Sequence, residues 1–183
     1  MISRSLERIP PSKLWITAFM GLSGATTIRR ATLHDMDAVL ECLRSAFAAY
    51  EKHYPAAAFQ DTTLTRESYP RRLKEMMVLV ALDDSGSLVG TIACNVIGNG
   101  EGHLRGMAVL PKCQGSGIAN QLLVCAESEL AQRGCSHVTL DTTEPLQRAM
   151  CFYERHGYRR SGKIGDFFGM PLIEYGKELR AKS

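Results

Sequence analysis

The stretch Gln114-Gly115-Ser116-Gly117-Ile118-Ala119 carries the clearest chemical signal in the chain. It follows a strand-like run, His103 to Leu110, and leads into a helical pattern that continues to Arg133. The first turn of a helix holds unpaired N–H donors and a partial positive charge, so a strand, a glycine loop and a helix in succession suit a phosphate. Gly115 and Gly117 remove side chains that would keep that phosphate away. Two familiar phosphate loops do not fit. A nucleotide P-loop ends in Gly-Lys-Ser/Thr, whereas Gly117 is followed by Ile118 and Ala119. A dinucleotide fingerprint needs a third Gly or Ala where Asn120 stands, and Asp141, near the ribose-binding distance, does not repair it.

The pattern that fits is Gln/Arg-x-x-Gly-x-Gly/Ala, matched by Gln114, Gly117 and Ala119. It resembles the acyl-CoA pyrophosphate loop of the GCN5-related N-acetyltransferase (GNAT) superfamily. Upstream, Leu104-Arg105-Gly106-Met107-Ala108-Val109-Leu110-Pro111 is similar to that family's fourth strand with its closing Pro. Downstream, Ala149 to Tyr158 is similar to its Ala-x-x-Phe-Tyr-x-x-x-Gly-Phe/Tyr block. The resemblance covers roughly Thr27 to Leu179 and is strongest from His103 onward. It departs at Leu146, where many members carry an Asn that contacts the coenzyme.

The resemblance implies an acyl-CoA-dependent N-acyltransferase that moves acetyl from acetyl-CoA, or another acyl group, to a primary amine of a small molecule or protein by direct attack. Such transfer needs a held donor, a neutral amine, a stabilised oxyanion and a proton for the leaving thiolate. Gln114, Gly115, Ser116, Gly117, Ile118 and Ala119 would hold the pyrophosphate. Backbone groups of Met107 and Val109 would pair with the pantetheine arm like an added strand, with an N–H at Met107 or Ala108 facing the thioester carbonyl. Tyr153 would be the acid for the leaving thiolate, donating its proton or a hydrogen bond to the sulfur, its alternative being an aromatic anchor for the helix. For the base, Glu101 ranks first, with His103, Asp141 and Glu144 as alternatives. A non-catalytic acyl-CoA-binding module of the same fold is the second reading, and transfer to a hydroxyl would need a stronger base.

These residues must be positioned by alternating strands and helices. Thr27–Arg30 reads as a strand, and apolar positions 33, 36, 40, 43 and 47 predict a helix over about 33–50. A second helical stretch is expected over 64–76, interrupted near Pro70. Strands follow at 77–82 and 88–97, joined by the turn Asp83-Asp84-Ser85-Gly86-Ser87. Gly134 should cap the helix 118–133, and Pro145 should open the next helix after a strand at 137–141. Strands at 158–163 and 172–177 close the set. The expected fold class is α+β (α/β/α): a mixed, mostly antiparallel twisted sheet of six to seven strands, its fourth and fifth splayed apart, with helices on both faces. Acceptor choice should come from the first helix pair and the closing strands. The Tyr50-Glu51-His53-Tyr54 cluster reads first as a solvated helix end and second as the lining of an amine pocket, and Asp166–Met170 reads as a loop before the last strand that could cover the site.

A chain of 183 residues suits one domain, assigned to 27–183. A net charge of +3 is too small to argue for nucleic acid, and no apolar run is long enough to span a bilayer as a helix. The six cysteines (42, 94, 113, 125, 135 and 151) form no Cys-x-x-Cys pair and no zinc spacing with histidine. They suit a reducing cytoplasm, with no metal expected. Residues 1–26 read as an N-terminal extension outside the core. Arg4, Arg8 and Lys13 before the apolar run 14–22 outline a secretory signal, but Glu7 and Pro10-Pro11 interrupt it. A tail packing on the domain or a partner fits better. Family analogy adds a homodimer as a partner.

Overall fold

The computed structural model describes residues 17–21 and 24–179. Within these, one eight-stranded sheet has the order β1-β2-β3-β4-β5-β6-β8-β7. The strands are β1 (Thr17–Gly21), β2 (Gly24–Arg30), β3 (Met77–Leu82), β4 (Leu88–Gly98), β5 (Glu101–Val109), β6 (His137–Thr143), β7 (Arg159–Phe167) and β8 (Met170–Glu178). Neighbouring strands run antiparallel except β5 and β6, which are parallel. The expected fourth and fifth strands are therefore β5 and β6. The sheet exceeds the expected six to seven strands because it starts earlier. β1, within the stretch set apart as an extension, pairs with β2 from Thr17↔Ile28 to Gly21↔Gly24. The basic residues Arg4, Arg8 and Lys13 lie outside the described residues.

Between β2 and β3 come three helices, α1 (Met36–Phe47), α2 (Ala56–Thr63) and α3 (Tyr69–Glu75). The expected helix over 33–50 is an α-helix flanked by 3-10 turns at Leu33–Asp35 and Ala48–His53. Thr32 and Asp35 form a capping box there, and Arg29 grips the Asp35 carboxylate with two hydrogen bonds of 2.9 and 2.7 Å. That grip holds the Asp35 carboxyl down at about 2. α2 was not foreseen, because its AAAFQDTT sequence has only a weak apolar stripe. Pro70 does not interrupt a helix but sits in the first turn of α3, where its missing N–H costs nothing.

After β5 the chain enters α4 (Ile118–Gln132), and α5 (Gln147–Arg155) follows β6. Gly134 ends α4 as expected. Its N–H reaches Ala131 O and the N–H of Cys135 reaches Leu130 O, each at 3.0 Å, which satisfies the last carbonyls of the helix. Pro145 falls before the first turn of α5, not inside it. Two cores result. On one face α4 and α5 bury Leu122, Leu123, Leu130 and Met150 against Leu104, Val109, Val138 and Leu140. Each of the fully buried leucines contributes roughly 2 kcal/mol. On the other face α1 and α3 bury Val39, Leu40, Leu43 and Tyr69 against Val80 and Ala108. α4 lies so close that a Cβ on Gly102 would stand 2.7 Å from a Leu130 methyl.

Candidate active site

The parallel register between β5 and β6 runs from Glu101↔His137 to Leu104↔Leu140 and stops there. Beyond that point Arg105–Val109 continues along β4 while Asp141–Thr143 continues along β8, so the two strands part. A bulge accompanies the parting. Ala93 pairs with Arg105 but Thr91 pairs with Ala108, so Gly106 and Met107 together face Ile92. Gly106 takes φ +63°, the left-handed value that lets the extra residue be absorbed. Past the bulge, the edge of β5 turned toward β6 has no ladder partner there. This is the expected splay.

On the α4 side of the splay lies the glycine loop. Pro111–Cys113 makes a 3-10 turn, and Gly117 opens α4 at φ +90° with no side chain capping the helix. The first bond within the helix runs from Gln121 N–H to Gly117 O at 3.1 Å, leaving the N–H groups of Ile118, Ala119 and Asn120 ahead of it. Gly115, Ser116 and Gly117 are exposed, and a Cβ on either glycine would meet nothing within 4 Å. The loop is braced from within. Gln114 Nε2 donates to Val109 O at 3.2 Å and Ser116 Oγ donates to Cys113 O at 2.6 Å. The Gln114 and Ser116 side chains thus hold the loop's shape, and its open donors are backbone. An anionic pyrophosphate fits such a cradle in charge and in space.

Tyr153 lies on this same face. It is 9% exposed and packs in the core, its ring centroid 5.4 Å from Phe152 and 5.6 Å from Tyr158. Burial pushes its phenol well above the ordinary range, so it stays protonated at neutral pH. Both roles weighed for it from sequence are compatible with this position. Leu146 reaches the splay with an apolar side chain, so it offers no polar contact.

On the opposite face the splay opens into a cavity of about 190 Å³. Phe47 of α1, Thr62 of α2 and Arg72 of α3 form one side, and His103, Arg105 and Asp141 form another. Of the base candidates, His103 and Asp141 line the cavity, with Nε2 and Oδ2 3.7 Å apart. Glu101 and Glu144 do not. Glu101 instead accepts a hydrogen bond from Thr139 Oγ1 at 3.0 Å, and that same oxygen lies 3.0 Å from His103 Nδ1. A hydroxyl has one proton. If Thr139 gives it to the Glu101 carboxylate, His103 Nδ1 must be the donor to Thr139, which leaves Nε2 as a free lone pair toward the cavity. Burial lowers the His103 pKa and raises that of Asp141. The imidazole is thus neutral at neutral pH.

Of the predicted acceptor cluster, Tyr54 reaches the cavity wall and bonds Thr143 Oγ1, whereas Glu51 and His53 are exposed. The expected loop at Asp166–Met170 is a two-residue turn, Phe168-Gly169, joining β7 to β8, and Phe167 beside it lines the cavity. Thr142 Oγ1, also in the wall, is buried with no hydrogen-bond partner. Arg72 and Arg105 were missed. Arg105 had a signal, since Glu101, His103 and Arg105 alternate with the apolar-facing Gly102 and Leu104. Arg72, within Arg71-Arg72-Leu73-Lys74, reads as solvated helix surface.

The thiol groups show no chemistry of this kind. All six cysteines are free, and burial pushes Cys42 and Cys94 up to about 12, so they are inert. Among the described residues no group of three or more His, Cys, Asp or Glu could hold a metal ion, and no helix is long and apolar enough to cross a membrane.

Known proteins are similar to this chain in sequence and in fold. The chain is 28% identical over 86 residues to N-alpha-acetyltransferase MAK3 of Arabidopsis thaliana, covering 45% of each chain. It is 29% identical over 93 residues to N-alpha-acetyltransferase 30 of Schizosaccharomyces pombe, covering 49% of this chain and 61% of that one. The chain thus spans about half the length of the curated relatives it matches. In fold it is similar to the ribosomal-protein-S18-alanine N-acetyltransferase of Escherichia coli, with a TM-score of 0.69, 18% identity and coverage of 86% of this chain and 96% of that one. It is also similar to the PaiA N-acetyltransferase of Thermoplasma acidophilum solved with coenzyme A, with a TM-score of 0.66, 20% identity and coverage of 81% and 97%. Residues 36–158 match the acetyltransferase (GNAT) family, and the chain belongs to that family.

Proposed function

We propose that this chain is an acetyl-CoA-dependent N-acetyltransferase whose acceptor is a primary amine, with an α-amine favoured by the names of its relatives. The observation that carries the proposal is the end of the β5–β6 register at Leu104↔Leu140. It leaves a passage between a backbone cradle for the donor on the α4 face and a charged cavity for the acceptor on the α1 face. When bound, the thioester supplies the activated acyl group.

The protein's own groups then divide the work. The N–H groups of Ile118, Ala119 and Asn120 hold the pyrophosphate, and the unpaired edge of Met107–Val109 aligns the pantetheine arm. His103 Nε2, beside Asp141, removes a proton from the ammonium and so frees the lone pair for attack. Glu101, ranked first as the base from sequence, becomes a positioning residue that acts through Thr139 on the His103 tautomer. A backbone N–H at Met107 or Ala108 donates to the carbonyl oxygen as its charge grows. Tyr153 donates a hydrogen bond to the departing sulfur, a weaker base than a phenolate, and the second proton that the attacking nitrogen loses as the amide forms passes to that thiolate or to solvent.

The test is free-thiol release from acetyl-CoA against amines, amino acids and peptide N-termini, for the native protein and Tyr153→Phe. Amine-dependent release that the variant loses supports transfer. Acetyl-CoA binding without release on any acceptor would instead mark a binding module.

A further inference from the structure

Arg72 is the charged cavity residue that is used neither by the transfer reaction nor by an ion pair within 4 Å among the described residues. It comes from α3, and its guanidinium lies 3.3 Å from where a Cβ on Gly106 would stand, so it sits directly over the bulge at the splay. Among the described residues its guanidinium makes no hydrogen bond and no ion pair within 4 Å, although every neighbouring charge in the wall has one. Arg105 beside it is held by Asp61, and His103 faces Asp141. Burial, with the Arg105 charge next to it, pulls Arg72 down to about 10, so it remains a cation. The nearby carboxylates of Asp61, already paired with Arg105, and Glu75 support it only through space. A half-buried cation with no directly bonded anion is costly, and the usual remedy is a ligand that brings one.

The same cavity also holds groups of the opposite character. Asp141 and the unprotonated Nε2 of His103 favour an ammonium group there. A cavity of about 190 Å³ is smaller than those that take drug-sized ligands, about 300 to 1,000 Å³. A cation without a direct partner and a carboxylate–imidazole pair in one small cavity suit a small zwitterion.

We infer that the acceptor is a small primary amine that also carries a carboxylate, as an amino acid does, with Arg72 holding the carboxylate while the amine is presented to His103 and Asp141. This rests on the transfer reaction proposed above. It makes Arg72 a specificity determinant, not a part of the acyl-transfer machinery.

Two matched series test it: alanine, alaninamide and ethylamine, then leucine, leucinamide and isoamylamine, each with acetyl-CoA. The amides also mimic a peptide N-terminus and carry the less basic, more readily deprotonated amine, so intrinsic reactivity favours them. The expected result is a preference of roughly tenfold or more in kcat/KM for the acid over its amide, since a charge-assisted bidentate contact is lost. Arg72→Gln should abolish that preference and Arg72→Lys should keep part of it, with melting temperatures confirming that both variants fold. Calorimetric binding of the same six compounds, with coenzyme A present, gives a readout independent of turnover. Acid-selective binding that Arg72→Gln removes, without thiol release, would uphold the carboxylate site and sink the transfer reaction. Equal or better use of the amide or the plain amine, in turnover and in binding, would overturn the carboxylate site and leave the transfer reaction standing on thiol release alone.

Discussion

The two sides of the splay are built in opposite ways. The donor side is exposed backbone, with Gly115 and Gly117 contributing space and α4 contributing unpaired N–H groups. The acceptor side is a half-buried set of charged and aromatic side chains drawn from α1, α2, α3, β5, β6 and the end of β7. A ligand shared across a large family can be held by peptide groups, which are the same in every sequence, provided the chain leaves room for them. A ligand particular to one member has to be recognised by side chains, and these come from wherever the fold brings them. Changes on the donor side should therefore alter coenzyme affinity for every acceptor, and changes on the acceptor side should alter turnover acceptor by acceptor.

The largest effect should come from the donor side. Gly117→Trp fills the open space before α4 and should weaken acetyl-CoA binding by at least about 10²-fold, as measured by calorimetry. A left-handed φ at a non-glycine costs only about 1–2 kcal/mol, so the variant should still melt cooperatively. Undiminished binding would break the assignment of the loop. Next comes Tyr153→Phe, expected to lower kcat by roughly 10²-fold with coenzyme affinity unchanged. If affinity falls and kcat does not, Tyr153 is a packing residue that shapes the donor side.

On the acceptor side, Glu101→Gln is expected to lower kcat by about tenfold without touching coenzyme binding. The Gln amide can donate to Thr139, which would turn that hydroxyl toward His103 Nδ1 and put the imidazole proton on Nε2. Nitrogen NMR of the ring would detect the change of tautomer directly, and an unchanged tautomer would remove Glu101 from the reaction. In the native protein, burial keeps the His103 pKa below its ordinary 6.5, so activity should hold as the pH falls to that value and drop only beneath it. A limb above 6.5 would count against His103 as the base. The smallest kinetic effect belongs to Asp35→Asn, remote from both sides. Asp35 is depressed from 3.8 to about 2 in the folded state, so its contribution is present above 3.8 and fades as the pH falls toward 2. Removing it should cost about 2 kcal/mol near neutral pH and almost nothing at pH 2, with kcat unchanged.

What could be read from the sequence follows the same division. The loop, the β5 run and the Phe152-Tyr153 block were legible because each lies within a dozen contiguous residues whose types are dictated by a common ligand and local geometry. The strands and the capping of α4 by Gly134 were legible because periodicity and turn chemistry are local. α2 escaped because an alanine-rich segment that packs mainly on α1 shows little periodicity. β1 escaped because an edge strand is defined by its neighbour as much as by its own residues. His103 and Asp141 were among the candidates read from the sequence, but that they line the cavity while Glu101 does not depends on where β5 and β6 cease to pair. Arg72 carried no signal, as it is a cation on a short helix until α3 docks over Gly106.

Gly106 also sets the phase of β5. Leu104 and Val109 serve the α4 core and Ala108 serves the α1 core, an assignment that five residues of strict alternation cannot give. The one supernumerary residue reverses odd and even. β5 is in effect two short strands of opposite parity spliced end to end, the first carrying His103 and Arg105 to the cavity and the second feeding the loop. Deleting Gly106 would straighten the strand and leave Val109 toward α4 and Ala108 toward α1, because the order 104-105-107-108-109 alternates without the extra residue. Shortening the chain by this single glycine should therefore spare both interiors and instead remove the bulge beneath Arg72, where β5 parts from β6.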